Sequence, residues 1–184
     1  NTSLTPPMGI NPQEKHMTKY IEYHGPLNQT YLTRIESTTD KAIAEFSRTI
    51  AIRFDLRSPS DIDPDSPQYF FNADASVISR FFDHLNANIK ADLAKRKRTK
   101  GAPRAYRDRL RYAWAREQHQ GDRPHYHILI LLNNDNYKRL GNYNIAENHD
   151  NLASKIQEAW CSALGLPVEE FWYLVHFPDH CVYY

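Results

Sequence analysis

Alternation of apolar and charged residues marks the first predicted strand of the chain, TIAIRFDLR at residues 49–57. A period of two places neighbouring side chains on opposite faces of a sheet, so Arg53, Asp55 and Arg57 share one face. The opposite face carries only apolar residues, which are Ile50, Ile52, Phe54 and Leu56. The pattern predicts a strand with one face in the core and one charged face.

Apolar residues at helical spacing predict three helices. The first covers residues 34–48, with Ile35, Ile43 and Phe46 as its apolar positions and Ser37 or Thr38 as its cap. The second covers residues 74–97 and begins at Asp74, a residue type that commonly caps helices. Its apolar stripe consists of Val77, Ile78, Phe81, Phe82, Leu85, Ile89 and Leu93. The third covers residues 147–164 and is closed by Gly165.

Three further segments predict strands. Residues 109–117 alternate again, residues 124–132 form a nearly continuous apolar run, and a turn at residues 120–122 joins the two into a hairpin. A last strand is predicted at residues 171–177, FWYLVHF. Residues 58–66, which are rich in proline and serine, read as a loop.

The order of these elements predicts an α+β fold. Strand, helix, strand, strand, helix, strand is the split βαβ, or ferredoxin-like, arrangement: an antiparallel sheet of four or five strands with helices packed on one face. The first and third strands of that fold lie side by side in the middle of the sheet. Residues 31–184 would form this domain, preceded by an extended arm at residues 1–30.

Composition narrows the class of protein without identifying a partner. Apolar residues make up 41% of the chain and charged residues 24%, which is typical of a folded globular domain. Two cysteines, Cys161 and Cys181, provide neither a disulfide framework nor a zinc site, so we expect a reducing, cytoplasmic location. No apolar run is long enough to cross a membrane. The net charge of +1 means that a nucleic-acid partner must be argued from where the charges lie.

The predicted hairpin brings together three metal-ligand side chains. His125 and His127 are two residues apart on one strand and therefore face the same side. A turn centred on Gly121 places Glu117 opposite His125 and Ala115 opposite His127. One carboxylate and two imidazoles suit Mn²⁺, Zn²⁺ or a Mg²⁺ held partly by substrate oxygens. A lone His-x-His pair is usually an ordinary strand feature, and the registered Glu117 is what favours a metal site.

Basic residues predict where a nucleic acid would bind. The segment from Lys90 to Arg111 is rich in Lys and Arg, and a solvated helix end is the alternative to a phosphate-binding surface. Arg53 and Arg57 are candidates to hold phosphate, and buried ion pairing within the sheet is the alternative for both of them and for Asp55. Asp55 would hold an arginine or add a metal ligand, and His176 would complete the site or belong to the core. The predicted DNA-binding residues of the basic segment are Lys95, Lys97, Arg98, Lys100 and Arg104.

Four segments carry a resemblance to a known family: TIAIRFDLR, YAWAREQHQGDRPHYHILILLNNDNYKRLG, IQEAWCSALGL and LVHFPDHCVYY. Over residues 30–184 they resemble the inovirus gene-two-protein family, also called the YagK/YfjJ C-terminal domain. The run PHYHILILLN is also similar to the His-hydrophobic-His motif of HUH endonucleases, whose viral Rep members place a metal-binding Glu shortly upstream. The resemblance implies a metal-dependent enzyme that nicks and joins single-stranded or hairpin origin DNA in rolling-circle replication of a phage or mobile element, with a replication helicase as a possible partner.

HUH enzymes use a tyrosine nucleophile that becomes linked to the 5′ end of the cut strand. Related chains carry it on a helix beyond the core, so the resemblance implies that this sequence stops before the nucleophile. Among the residues present, Tyr183 and Tyr184 are the candidates, followed by Tyr20 and Tyr23.

Two other functions use a similar fold. A primase or polymerase palm needs clustered carboxylates for two metals, and Asp55 is followed by Leu56 and Arg57 instead. A non-catalytic domain resembling an RNA-recognition motif would expose aromatic residues on the open face of its sheet. The predicted open face here carries Glu, His, Arg and Asp.

Overall fold

The computed structural model describes residues 28–59, 72–99, 101, 104–117, 123–143 and 150–184. Its contacts separate Asn1–Thr33 from a larger unit, Arg34–Tyr184. Most of the predicted arm, the predicted turn at residues 120–122 and most of the loop at residues 58–66 lie outside the described residues. The elements are α1 (Gln29–Glu45), β1 (Thr49–Leu56), α2 (Val77–Arg98), β2 (Arg111–Glu117), β3 (His125–Asn133), α3 (Leu152–Leu164), α4 (Val168–Phe171), a 3-10 helix (Trp172–Leu174), β4 (Val175–His176) and β5 (Val182–Tyr183).

An open antiparallel sheet forms the centre of the α+β fold. Its strand order is β2-β3-β1-β4, and β5 also pairs with β1. The fold class predicted from the order of elements is confirmed, with β1 and β3 adjacent in the middle. None of the described helices is both long and apolar enough to cross a membrane.

The main core lies between the sheet and the two helices α2 and α3. The four even-numbered residues of β1 predicted to face the core are fully buried. The predicted apolar stripe of α2 is also buried, with no residue more than 8% exposed. Burying one such Ile, Leu or Phe side chain contributes about 1.5–3 kcal/mol. Trp160 of α3 is also fully buried, and its indole Nε1 donates to the carbonyl oxygen of Arg57 at 2.9 Å. That bond attaches α3 to the end of β1.

Helix α1 begins earlier than predicted and packs on the other face of the sheet. Asn28 caps it, since its Oδ1 accepts from the backbone N–H of Thr30 at 3.0 Å. The predicted cap Thr38 lies inside the helix, where its hydroxyl donates to the carbonyl of Arg34 at 2.8 Å. Ala42 and Phe46 are buried against Leu131 and Ala51, whereas Ile35 and Ile43 are exposed. One end of the open face is therefore covered by α1.

The ends of α2 and α3 also differ from the predicted ones. Ser76, not Asp74, precedes α2, and the Asp74 carboxylate accepts from the Ser76 N–H at 2.8 Å. Asn151 caps α3 in a capping box with Ser154. Gly165 ends α3 at a φ of 77°, as predicted.

The strand predicted at residues 171–177 is wrong for most of its length. Helix α4 and the 3-10 helix occupy residues 168–174, and only Val175 and His176 form a strand. A short apolar run does not distinguish a buried strand from a buried helix. The segment still reaches β1, because the Arg57 N–H donates to Leu174 O at 2.8 Å and His176 pairs with Asp55.

Candidate metal centre

Residues of four strands meet at one end of the open face. Backbone pairing aligns Ala115 of β2 with His127 of β3, His127 with Asp55 of β1, and Asp55 with His176 of β4. In the neighbouring row Glu117 pairs with His125, so the register predicted for the hairpin is confirmed residue by residue. Residues at matching parity on paired strands share a face, and these side chains therefore converge.

Glu117, His125 and His127 approach one another closely enough to bind one ion. The Oε2 atom of Glu117 lies 2.8 Å from Nε2 of His127 and 3.0 Å from Nε2 of His125. One ligand atom from each residue lies within 4.8 Å of the other two. The three side chains are between 32% and 41% exposed, so the cluster is open to solvent on one side.

Asp55 holds His127 from the other side of the imidazole. Its Oδ1 lies 2.8 Å from Nδ1 of His127, which leaves Nε2 of that ring facing Glu117. The Asp55 side chain is only 12% exposed, and Arg53 Nη2 and His176 Nδ1 each lie 3.5 Å from its oxygens. A carboxylate on the non-coordinating nitrogen of a histidine is the usual arrangement around a protein-bound metal, because it fixes the ring orientation and tautomer.

The electrostatics of the two central groups follow from these contacts. Burial by itself lowers the pKa of His127, but its hydrogen bonds with Glu117 and Asp55 and their negative charges outweigh burial and raise it. Burial raises the pKa of Asp55, while the bond with His127 and the charges of Arg53 and His127 outweigh that effect and lower it. With both ring nitrogens protonated, His127 would donate one hydrogen bond to Asp55 and one to Glu117, and no metal would be needed to complete these contacts. A cation on Nε2 would replace one of those protons.

The donor set and its spacing fit a divalent metal ion. Ligands about 2.1 Å from an ion lie about 3.0 Å apart at octahedral angles and about 3.4 Å apart at tetrahedral angles. The Glu117–His127 and Glu117–His125 separations of 2.8 and 3.0 Å are close to the octahedral value. Ala115, which pairs with His127, is a small and exposed residue of β2 on this face.

Neither Tyr183 nor Tyr184, the first two candidates for the nucleophile, lies at this centre. Tyr183 of β5 pairs with Ala51, four residues along β1 from Asp55, which is about 13 Å at the rise of an extended strand. The Tyr184 hydroxyl donates to the carbonyl oxygen of Lys138 at 3.0 Å, beyond the far end of β3. Tyr20 and Tyr23 lie outside the described residues. Tyr126 is buried on the opposite face.

The predicted DNA-binding residues divide into two groups. Arg53 of β1 and Arg57, the residue directly after β1, are exposed near the metal centre. Lys95, Lys97 and Arg98 end α2 near the opposite end of the sheet, where Arg96 Nη1 donates to Asn136 O at 2.8 Å. Arg104 also lies there, because the N–H of neighbouring Tyr106 donates to Asn136 Oδ1 at 2.8 Å. Lys100 lies outside the described residues.

Sequence reasoning missed the bond between Asp55 and His127. The alternation in β1 placed Asp55 on the correct face, and the order of elements placed β1 beside β3. What remained undetermined was the register between two strands that are 72 residues apart at this bond. His176 was predicted to lie in the core or to complete the site; it is exposed and lies beside Asp55.

Comparisons with known proteins identify a family. The family model of the YagK/YfjJ C-terminal domain matches residues 10–184. The chain is 34% identical to protein YfjJ of Escherichia coli (strain K12) over 154 residues, which is 83% of this chain and 73% of YfjJ. It is 36% identical to protein YagK of the same organism over 174 residues, which is 93% of this chain and 76% of YagK. No solved structure matches the chain.

Proposed function

The chain belongs to the YagK/YfjJ C-terminal domain family, and from that premise we propose that it is a metal-dependent DNA endonuclease of the HUH type. Its substrate would be single-stranded or hairpin DNA, such as the replication origin of a phage or mobile element. The observation that carries the proposal is the convergence of Glu117, His125 and His127, with Asp55 bonded to the second nitrogen of His127.

The proposed roles follow from the positions of the side chains. Glu117, His125 and His127 would hold the ion through Oε2 and the two Nε2 atoms. A bound divalent ion would supply a Lewis acid for a phosphoryl oxygen of the DNA. Asp55 would fix the ring of His127 by accepting from Nδ1. Arg53, whose guanidinium lies beside Asp55, would attract the DNA phosphate to the open side of the centre.

The proposed reaction is attack by an oxygen nucleophile on one phosphodiester. With a tyrosine, the phenol oxygen bonds to phosphorus, the bond from phosphorus to the 3′ oxygen breaks, and the phenol proton passes to that oxygen. The products are a 5′ phosphotyrosine and a free 3′ hydroxyl. Because Tyr183 and Tyr184 lie away from the centre, the assay must detect both a covalent adduct and hydrolysis by water.

The two alternative functions fit the geometry less well. A two-metal palm needs carboxylates around ions about 3.5–4 Å apart, whereas the ring of His127 lies between Asp55 and Glu117. An RNA-binding sheet needs aromatic residues on its open face. Tyr112 and Trp114 are exposed on the edge strand, but they pair with the core-facing Ile130 and Ile128 and contact Phe82 and Tyr126 on the helix-covered face.

The test is a nicking assay with end-labelled single-stranded and hairpin DNA in the presence of Mn²⁺. We expect cleavage that EDTA abolishes and that His127→Ala reduces by at least about 100-fold, the scale of losing one preorganised electrostatic group. His84→Ala is the matched control, because it removes a histidine from α2 on the covered face. Cleavage by His127→Ala at the wild-type rate would contradict the proposal.

A further inference from the structure

We propose that the end of the domain opposite the metal centre is a binding surface for the phosphate backbone of double-stranded DNA. The inference rests on the proposed function, because it assigns a second contact to the same substrate. We call it the distal basic surface and define it by the cations of three segments, residues 95–99, 104–110 and 133–139. These cations are Lys95, Arg96, Lys97, Arg98, Arg104, Arg107, Arg109, Lys138 and Arg139.

Asn136 joins the three segments into one surface through its hydrogen bonds. Its backbone oxygen accepts from Arg96 at 2.8 Å, and its side-chain oxygen accepts from the Tyr106 N–H at 2.8 Å. Its amide nitrogen donates to the Asp108 carboxylate at 2.9 Å. Asn133 adds a bond from its side-chain nitrogen to the Arg107 carbonyl at 3.2 Å. Asn136 is 6% exposed, so this attachment is shielded from water.

The surface has more cations than the acids around it can neutralise. The three segments contain nine Lys and Arg but only two acids, Asp108 and Asp135. Asp135 already forms an ion pair with Arg48. Burial raises the pKa of Asp108, which disfavours the charged form of that carboxyl group. Asp92 and Asp150 bind Arg96 and Lys95. Within the described part of the chain, six exposed cations have no carboxylate in ion-pair range: Lys97, Arg98, Arg104, Arg109, Lys138 and Arg139.

The composition of the surface favours duplex over single-stranded DNA. Single-strand binding relies on aromatic rings that stack on bases, in addition to cations. Two exposed rings border the distal basic surface: Tyr106, at 39% exposure, with the Arg104 guanidinium 5.2 Å from its ring centroid, and Tyr184, at 80% exposure, whose hydroxyl donates to Lys138 O. The nine cations of the surface outnumber these two rings. A duplex presents phosphates on its outside and shields its bases, so cations on a rigid scaffold are sufficient.

The distance between the distal basic surface and the metal centre fits one DNA substrate that has a duplex part and a single-stranded part. His127 lies near the start of β3 and Asn133 ends it, six residues further along, which is about 20 Å. That length corresponds to about six base pairs at 3.4 Å per pair. A hairpin or a duplex with a single-stranded extension would reach both places, with its stem on the distal basic surface and its unpaired segment at the metal centre.

Salt-dependent binding of a blunt DNA duplex tests the surface separately from cleavage. Fluorescence anisotropy would be measured in EDTA with the full chain, between about 50 and 200 mM salt. Because each lost phosphate contact removes about 0.9 from the slope of log K against log salt, K97A/R98A should lower the slope by about 2. K138A/R139A should do the same. The control R34A/K41A removes two cations from α1 and should leave the slope unchanged.

The outcomes distinguish this inference from the nuclease proposal. Nicking by the wild type together with unchanged duplex binding in both distal variants would overturn the distal surface and leave the nuclease standing. Loss of duplex binding in the distal variants, with no nicking by any protein, would support the surface and contradict the nuclease. Binding of polyglutamate as tight as that of the duplex would overturn the assignment to DNA, since an acidic peptide would then be sufficient.

Discussion

Asp55 is the residue that makes the histidine cluster a defined site. Without it, the carboxylate bonded to the His127 ring would be that of Glu117, which is itself a proposed metal ligand. The 2.8 Å contact between Asp55 Oδ1 and Nδ1 fixes the ring, and Nε2 is then presented to Glu117. A role in orienting a ligand can be tested separately from a role in binding the ion itself.

Replacing Asp55 should weaken metal binding without removing a ligand. We expect Asp55→Asn to lower Mn²⁺ affinity roughly 10–100-fold in isothermal titration calorimetry, because a neutral amide orients and polarises the imidazole less than a carboxylate does. Glu117→Gln, which changes a ligand, should reduce affinity further. Asp40→Asn on the exposed side of α1 is the matched control. Equal Mn²⁺ affinities for Asp55→Asn and wild type would show that Asp55 has a structural role in the sheet and does not orient a metal ligand.

The ligand triad could be predicted from the sequence because hairpin geometry is local. His125 follows Glu117 by eight positions, and parity together with one turn position determines which side chains face each other. The tyrosine nucleophile has no such local rule. Tyr183 and Tyr184 were candidates by resemblance alone, and their distance from the centre depends on how the last segment returns to β1.

At the scale of elements, the loop before α3 depends on one glycine. Gly141 has a φ of 94°, and a Cβ built there would lie 2.7 Å from Cβ and 2.7 Å from Cγ of Asn151. Asn151 is the N-cap of α3, held by its capping box with Ser154. The loop can therefore approach the start of α3 this closely only without a side chain at position 141.

Gly141→Ala should destabilise the protein by about 3 kcal/mol in urea unfolding. About 1–2 kcal/mol comes from the left-handed backbone and a comparable amount from displacing the cap. Gly101→Ala is the control, because Gly101 has a φ of 80° but no atom within 4 Å of a built Cβ. We expect a loss of only about 1 kcal/mol there. Equal losses at both positions would mean that Asn151 moves aside freely.

Elements with a regular period were predicted well, and elements set by tertiary contacts were not. The alternation of β1 and the stripe of α2 are visible in the sequence because each has a solvated face and a buried face. Residues 168–177 carry an apolar run without a period. Their split into α4, a 3-10 helix and β4 follows from packing on α3 and from hydrogen bonds to the end of β1, which sequence does not display.

At the scale of the whole molecule, the cations are concentrated at one end although the net charge is nearly zero. The metal centre combines carboxylates and imidazoles with Arg53 and Arg57, whereas the distal basic surface has nine Lys and Arg and only two acids. A net charge of +1 conceals this uneven distribution. The sequence indicated the basic run but not its distance from the histidines, because that distance depends on the direction in which α2 crosses the sheet.

Asp150 links α2 and α3 through two ion pairs and should make stability depend on pH. Its oxygens lie 2.8 Å from Lys155 Nζ and 3.1 Å from Lys95 Nζ. Hydrogen bonds from Lys155 and Lys95 lower the pKa of Asp150 from 3.8 to about 2. The pairs should therefore stabilise the fold in full above pH 3.8 and lose their effect as the pH falls through about 2.

Asp150→Asn should lower the free energy of unfolding by about 0.5–1 kcal/mol near neutral pH, an amount limited by solvent screening of exposed groups. Lys155 also lies 3.9 Å from the buried Asp92 and keeps that carboxylate as a neighbour in the variant, while Lys95 is exposed to solvent. The difference from wild type, measured by urea unfolding at a series of pH values, should vanish near the lowered pKa of Asp150. A difference that persists there would assign the loss to the hydrogen-bond geometry of Asp150 and not to its charge.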